Sequence, residues 1–150
     1  MNNIDIDPEF SRLFSTDILE RAASATLIQQ SAPDVDLTIV LTGDNQIRTL
    51  DRNFLGKDSP TDVLSFPASE TDPETGRLYL GDIIISVPRA EAQSVAGGHS
   101  LEAELSLLVV HGVLHLLGHD HAETEEKNRM WAAQNEILTR LGVPSTIIHE

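Results

Sequence analysis

The sequence predicts one α/β (or α+β) domain over residues 1–150, a small mixed β-sheet packed with about five helices. Three observations carry this expectation. Short β-branched runs alternate along the chain with stretches of helical periodicity. The segment from Leu107 to Leu117 is apolar on every side except at two histidines, which marks a central buried helix. Hydrophobic residues make up 40% of the chain and charged ones 23%, a globular balance, and 150 residues are enough for a real core.

Each element follows from local signals. The opening MNNIDIDPEF reads as a short extended start. Thr16-Asp17 is expected to cap a helix with apolar positions Ile18, Leu19, Ala22, Ala25 and Ile28. Val35 to Leu41 (VDLTIVL) is β-branched and compact, hence a strand. Asp44 then caps a helix with Ile47, Leu50 and Phe54 on one face, stopped at Gly56. SPTDVLSFP is a short strand bracketed by Pro60 and Pro67, placed at a sheet edge because proline cannot donate to a ladder. Ser69 to Arg77 reads as an exposed loop, and LYLGDIIISV, 78 to 87, as the strongest strand. Ala90 to Val95 makes a short helix ended at Gly97-Gly98. Ser100 caps a helix over 101 to 117, with Glu102 and Glu104 set against its dipole. A last helix starts near Glu123, carries Met130, Trp131, Gln134, Ile137, Leu138 and Leu141, and ends at Gly142 and Pro144.

Composition narrows the function. With no cysteine, neither a disulfide framework nor a thiolate metal site is possible, so any metal must sit on nitrogen and oxygen. Asp and Glu outnumber Lys and Arg by 24 to 10, for a net charge of -14. That opposes tight autonomous binding to nucleic acid or an anionic membrane, since phosphate neutralisation supplies most of such affinity. It leaves room for a nuclease whose metal ion does the local electrostatic work. The N-terminus lacks the basic and apolar regions of a signal peptide, and a cytoplasmic location is expected.

The chemistry concentrates at HGVLHLLGHDH, 111 to 121. His111 and His115, at i and i+4, place two rings on one helix face with Cβ atoms roughly 5–6 Å apart. A buried imidazole without a partner costs about 1–3 kcal/mol, and a shared divalent metal relieves both rings at once. Gly118 lets the backbone leave the helix, and the turn can return His121 as a third ligand. Three nitrogens around zinc leave a fourth position for water, the arrangement of a catalytic site. The spacing H-x-x-x-H-x-x-G-x-x-H matches that of metzincin zinc proteases. Those enzymes carry a glutamate base directly after the first histidine, and here that position is Gly112. His119 lies inside the turn, either supporting the ligands or facing solvent. Asp120 would orient a ligand or serve as a turn residue. Thr61, Asp62 and Ser65 would line a substrate groove or make strand and turn hydrogen bonds. Arg48, Arg52 and Lys57 form a local basic cluster that fits RNA contact or a solvated face. His99 and His149 have no partner at ligand spacing and read as surface residues.

Together, HGVLHLLGHDH, GKDSPTDVLSFP (Gly56 to Pro67) and LGDIIIS (Leu80 to Ser86) resemble the YbeY family of bacterial endoribonucleases, in the family's order, over roughly positions 36 to 142. The resemblance implies a zincin-like α/β domain with one metal ion, zinc by preference, at His111, His115 and His121. It also implies single-strand RNA cleavage, chiefly in small-subunit ribosomal RNA maturation, and association with the ribosome. Two positions depart from the family pattern. Leu55 stands where an arginine, a natural phosphate clamp, is usual. His119 replaces a commoner tyrosine, and both can donate a hydrogen bond. A zinc metallopeptidase and a non-catalytic ribosome assembly factor with a structural metal are the competing readings.

Overall fold

The computed structural model describes residues 2–32, 34–55, 62–119 and 123–143. In chain order the elements are β1 (Asn2–Ile6), α1 (Thr16–Gln29), β2 (Val35–Thr42), α2 (Asp44–Leu50), β3 (Val63–Thr71), β4 (Leu78–Ser86), α3 (Val87–Gly97), α4 (Leu101–Leu116) and α5 (Thr124–Arg140). Four strands form one mixed sheet in the order β1-β2-β4-β3. β1 and β4 both run parallel to β2, whereas β3 pairs antiparallel with β4.

The pleat divides the side chains between two layers. Leu37, Ile39 and Leu41 of β2 and Ile83 and Ile85 of β4 join α1, α3, α4 and α5 in the main core. On the opposite face Leu64 and Ile84 pack with Ile47 of α2 in a smaller cluster. α4 lies at the centre of the main layer and packs against α1, α3, α5, β3 and β4. It buries Leu105, Leu107, Leu108, Val109, Val110, Val113 and Leu114. Each such side chain contributes roughly 1.5–3 kcal/mol on leaving water, so packing rather than intrinsic propensity holds this helix.

Three helices end in the same way. Gly98, Gly118 and Gly142 all have positive φ. After each, the next amide reaches back five residues: His99 to Ser94, His119 to Leu114 and Val143 to Leu138. This left-handed glycine cap satisfies carbonyls that a helix end otherwise leaves bare.

Several expectations change in detail. The extended start is a true edge strand, in register with β2 from Asn2↔Leu37 to Ile6↔Leu41. Ser15 caps α1 in place of Thr16-Asp17, and Gly43 precedes α2 with no side-chain cap where Asp44 was expected to serve. Ile28 is 64% exposed, because α1 buries the stripe Leu19, Ala22, Ala23, Thr26 and Leu27 instead. The second helix stops at Leu50 and widens into a π-helical turn, Asp51–Leu55; Gly56, its expected stop, lies outside the described residues, as does Pro60. β3 does occupy an edge, but it runs through Pro67 to Thr71, so the loop expected from Ser69 starts later. Proline is tolerated there because the register shifts between Pro67 and Glu70. Opposite that shift, Gly81 has φ +145°, and a Cβ on it would meet the Phe66 carbonyl oxygen at 2.3 Å. α3 begins at Val87, capped by Ser86, rather than at Ala90.

His99 is not a surface residue. Its side chain is 9% exposed and its Nε2 lies 2.6 Å from Oε1 of the fully buried Glu104. Glu104 stands in the first turn of α4, as the dipole reading expects, and its side chain is buried there. Among the described residues, no helix is long and apolar enough to cross a membrane.

Candidate metal centre

The last two turns of α4 carry His111 and His115. Their Nε2 atoms are 3.1 Å apart, with ring centroids 4.6 Å apart and planes at 75°. α5 crosses beside them. The Nδ1–H of His111 donates to Oε1 of Gln134 over 3.1 Å. Trp131, one turn earlier on α5, meets the His111 ring edge-on at 5.7 Å between centroids. Both histidines are half-buried.

This donor set fits a divalent cation. Zinc holds imidazole nitrogens at about 2.0–2.1 Å, so two tetrahedral ligands stand roughly 3.3–3.4 Å from each other. The observed Nε2 separation is within a few tenths of an ångström of that value. Two neutral imidazoles supply borderline nitrogen donors with no thiolate, a set that zinc accepts readily. Among the described residues no group of three or more His, Cys, Asp or Glu gathers at one point. The expected third ligand, His121, and its neighbour Asp120 lie outside the described residues. Gly118, with φ +100°, turns the chain out of α4 just before them. The Nε2–H of His119 donates to Oε1 of Gln30 at the end of α1 over 2.7 Å.

The residues around the pair limit its chemistry. A Cβ on Gly112 would meet three carbons of Ile83 at 2.9–3.3 Å. The position that carries the base in zinc peptidases therefore faces the sheet, where a glutamate would have to displace the Ile83 side chain of β4. Ser65 on β3 sits opposite the same residue, its Oγ 3.5 Å from the Gly112 carbonyl oxygen, so the edge strand presents it to the histidine helix. Asp62 accepts from the Ser86 backbone N–H (3.0 Å) and from Nε2 of Gln93 (3.4 Å), contacts that anchor the start of β3. Thr61 and Lys57 lie outside the described residues. Beside the Gly118 turn is a groove of about 360 Å³ lined by His119, Glu123, Glu125, Glu126 and Arg129, an acidic rim that opposes phosphate unless a cation offsets it.

On the sheet, Arg77 beside Asp36 (Nη2–Oδ1 2.9 Å) holds that carboxyl below the usual carboxylate range. Burial, followed by the neighbouring Asp82 carboxylate, pushes the Tyr79 phenol up.

Gln134 was read from the sequence only as one residue of a helical stripe. Its signal was there: an amide among Met130, Ala133, Ile137 and Leu138, at a depth where a polar group needs a partner.

A mixed sheet layered with helices, its most buried helix ending in paired histidines and a glycine turn, defines an α/β domain of zincin-like build. The comparisons then fix the family. The family described as "Endoribonuclease YbeY" matches residues 2–142, and the chain belongs to it. A Dehalococcoides mccartyi protein of that description is 43% identical over 134 residues, covering 81% of this chain and 78% of the relative. One from Chloroflexus aurantiacus is 44% identical over 137 residues, covering 86% and 88%. The solution structure of a Thermotoga maritima protein superposes with a TM-score of 0.61 at 27% identity, covering 99% of this chain and 97% of the other.

Proposed function

We propose that this chain is a metal-dependent endoribonuclease specific for single strands, working in the cytoplasm on ribosomal RNA, chiefly in maturation of the small-subunit RNA and in ribosome quality control. The observation that carries the reading is the His111–His115 pair, with converging Nε2 atoms 3.1 Å apart, in a chain of the YbeY family. His111, His115 and His121 would hold one divalent ion, zinc by the nature of the donors. Such an ion, when bound, polarises a phosphoryl oxygen and lowers the pKa of its water towards about 7. The chain's own part is to fix the ligand rings, to present Ser65 and the edge strand beside them, and to shape the groove at the Gly118 turn.

With a net charge of -14 and Leu55 in place of the family's arginine, the protein is expected to bind free RNA weakly. The ribosome, or a protein bound to it, would then present the substrate. The test is RNA cleavage by wild type and His115→Ala, with metal content measured on both. Cleavage that tracks metal content supports the reading; an intact fold with metal but no cleavage on any ribosomal substrate favours the assembly-factor alternative. The metallopeptidase alternative is opposed by Gly112 against Ile83.

A further inference from the structure

Gln134 is only 2% exposed, on a helix that otherwise buries Met130, Ala133, Ile137 and Leu138 in the same core. A primary amide at that depth is costly unless it is bonded, so its partner is informative. The partner is Nδ1 of His111, 3.1 Å from Oε1. A carboxamide oxygen only accepts, so this contact requires the ring proton to be on Nδ1. A neutral imidazole has one ring proton, and Nε2 is then left with its lone pair directed at the point that His115 Nε2 also faces, 3.1 Å away. Reversing the amide would invert this arrangement. The Gln134 N–H would donate to Nδ1, and His111 would carry its proton on Nε2, where it blocks a cation. Trp131, edge-on to the same ring, restrains its rotation.

We propose that Gln134 is a positioning residue. Its amide oxygen holds His111 in the Nδ1–H tautomer and so keeps Nε2 ready as a metal ligand. This rests on the metal reading given under Proposed function. Partners that orient a ligand histidine typically change metal affinity by about 10–100-fold when removed.

The experiment has two arms on the full chain. In the first, ¹⁵N chemical shifts of His111 are recorded in metal-free wild type with neutral histidines. A protonated Nδ1 and a bare Nε2 are expected; a protonated Nε2 overturns the proposal without any mutation being made. In the second, zinc affinity is measured by chelator competition for wild type, Gln134→Leu and Gln134→Glu, each checked for native circular dichroism. Gln134→Leu should lose about 10–100-fold in affinity and show a mixed His111 tautomer. Gln134→Glu, which still offers an acceptor oxygen, should restore both. A folded Gln134→Leu that binds zinc like wild type overturns the positioning role alone. Should Gln134→Leu fail to fold, Gln134→Met replaces it under the same criteria. A wild type that binds no zinc overturns the metal reading and this role together.

Discussion

α4 and its flanks hold two histidine pairings, one at each end, and they differ in kind. At the N-terminal end His99 meets Glu104, an imidazole against a carboxylate that can neutralise it. At the C-terminal end His111 meets His115, two rings of the same kind with an amide behind one of them. The first pair joins unlike groups, an imidazole nitrogen and a carboxylate oxygen. The second pairs like with like: the Nε2 atoms of His111 and His115 face each other over 3.1 Å, and Nδ1 of His111 is bonded to Gln134. Burial of a polar group is therefore not a sign of function by itself. What distinguishes the candidate site is two like nitrogen donors converging on one point, where a cation could be shared.

If that contrast is right, the two ends should fail differently. The largest effect is expected for His115→Ala, which removes a proposed ligand: zinc content should fall to a small fraction of wild type and RNA cleavage to background, with the thermal midpoint of the metal-free protein nearly unchanged. Retained stoichiometric zinc would show that the pair is not the centre. Glu104→Ala should do the reverse. Removing one member of a buried pair costs about 3–5 kcal/mol, read in urea unfolding, while the fraction that remains folded still takes up one equivalent of metal. Unchanged stability would mean the His99 end is as dispensable as a surface pair.

Gly112→Glu recreates the zinc-peptidase spacing and separates ligand geometry from catalytic geometry. Overpacking against Ile83 should cost roughly 1–3 kcal/mol, lessened by up to about 1 kcal/mol from replacing a helical glycine. No peptidase activity should appear. Chelator-sensitive peptide cleavage by this variant would overturn the assignment of that helix face to the sheet. The smallest effect is expected away from both ends, at Asp36–Arg77. The folded pKa of Asp36 lies below its ordinary value, so the stabilisation is complete above that value and is lost as pH falls through the folded one. Asp36→Asn should therefore lower stability slightly near neutrality, where the wild-type contribution is complete, and converge on wild type in acid, so that this limb of the stability profile flattens.

The fold was largely legible because its signals are local. Val35–Thr42, Leu78–Ser86 and the three glycine-capped helix ends announce themselves within a few residues. Misreadings arose where a distant partner decides the outcome. Asn2–Ile6 is a strand because β2 accepts it. β3 outlasts Pro67 because a register shift, matched by Gly81, absorbs the missing donor. The same division holds at the site. His111 and His115 stand out by spacing alone, whereas Gln134 and the His99–Glu104 pair depend on which helix crosses which, and no short window of sequence contains that.

The central place of α4 also has a consequence in time. A helix packed against α1, α3, α5, β3 and β4 is expected to unfold together with its neighbours. Its backbone amides are expected to exchange with deuterium only when the whole fold opens, while the edge strand β1 frays early. The His111 and His115 rings inherit that clock. They are expected to stay in register with each other between global openings, so a cation, were one bound, would not be released by the helix giving way beneath it.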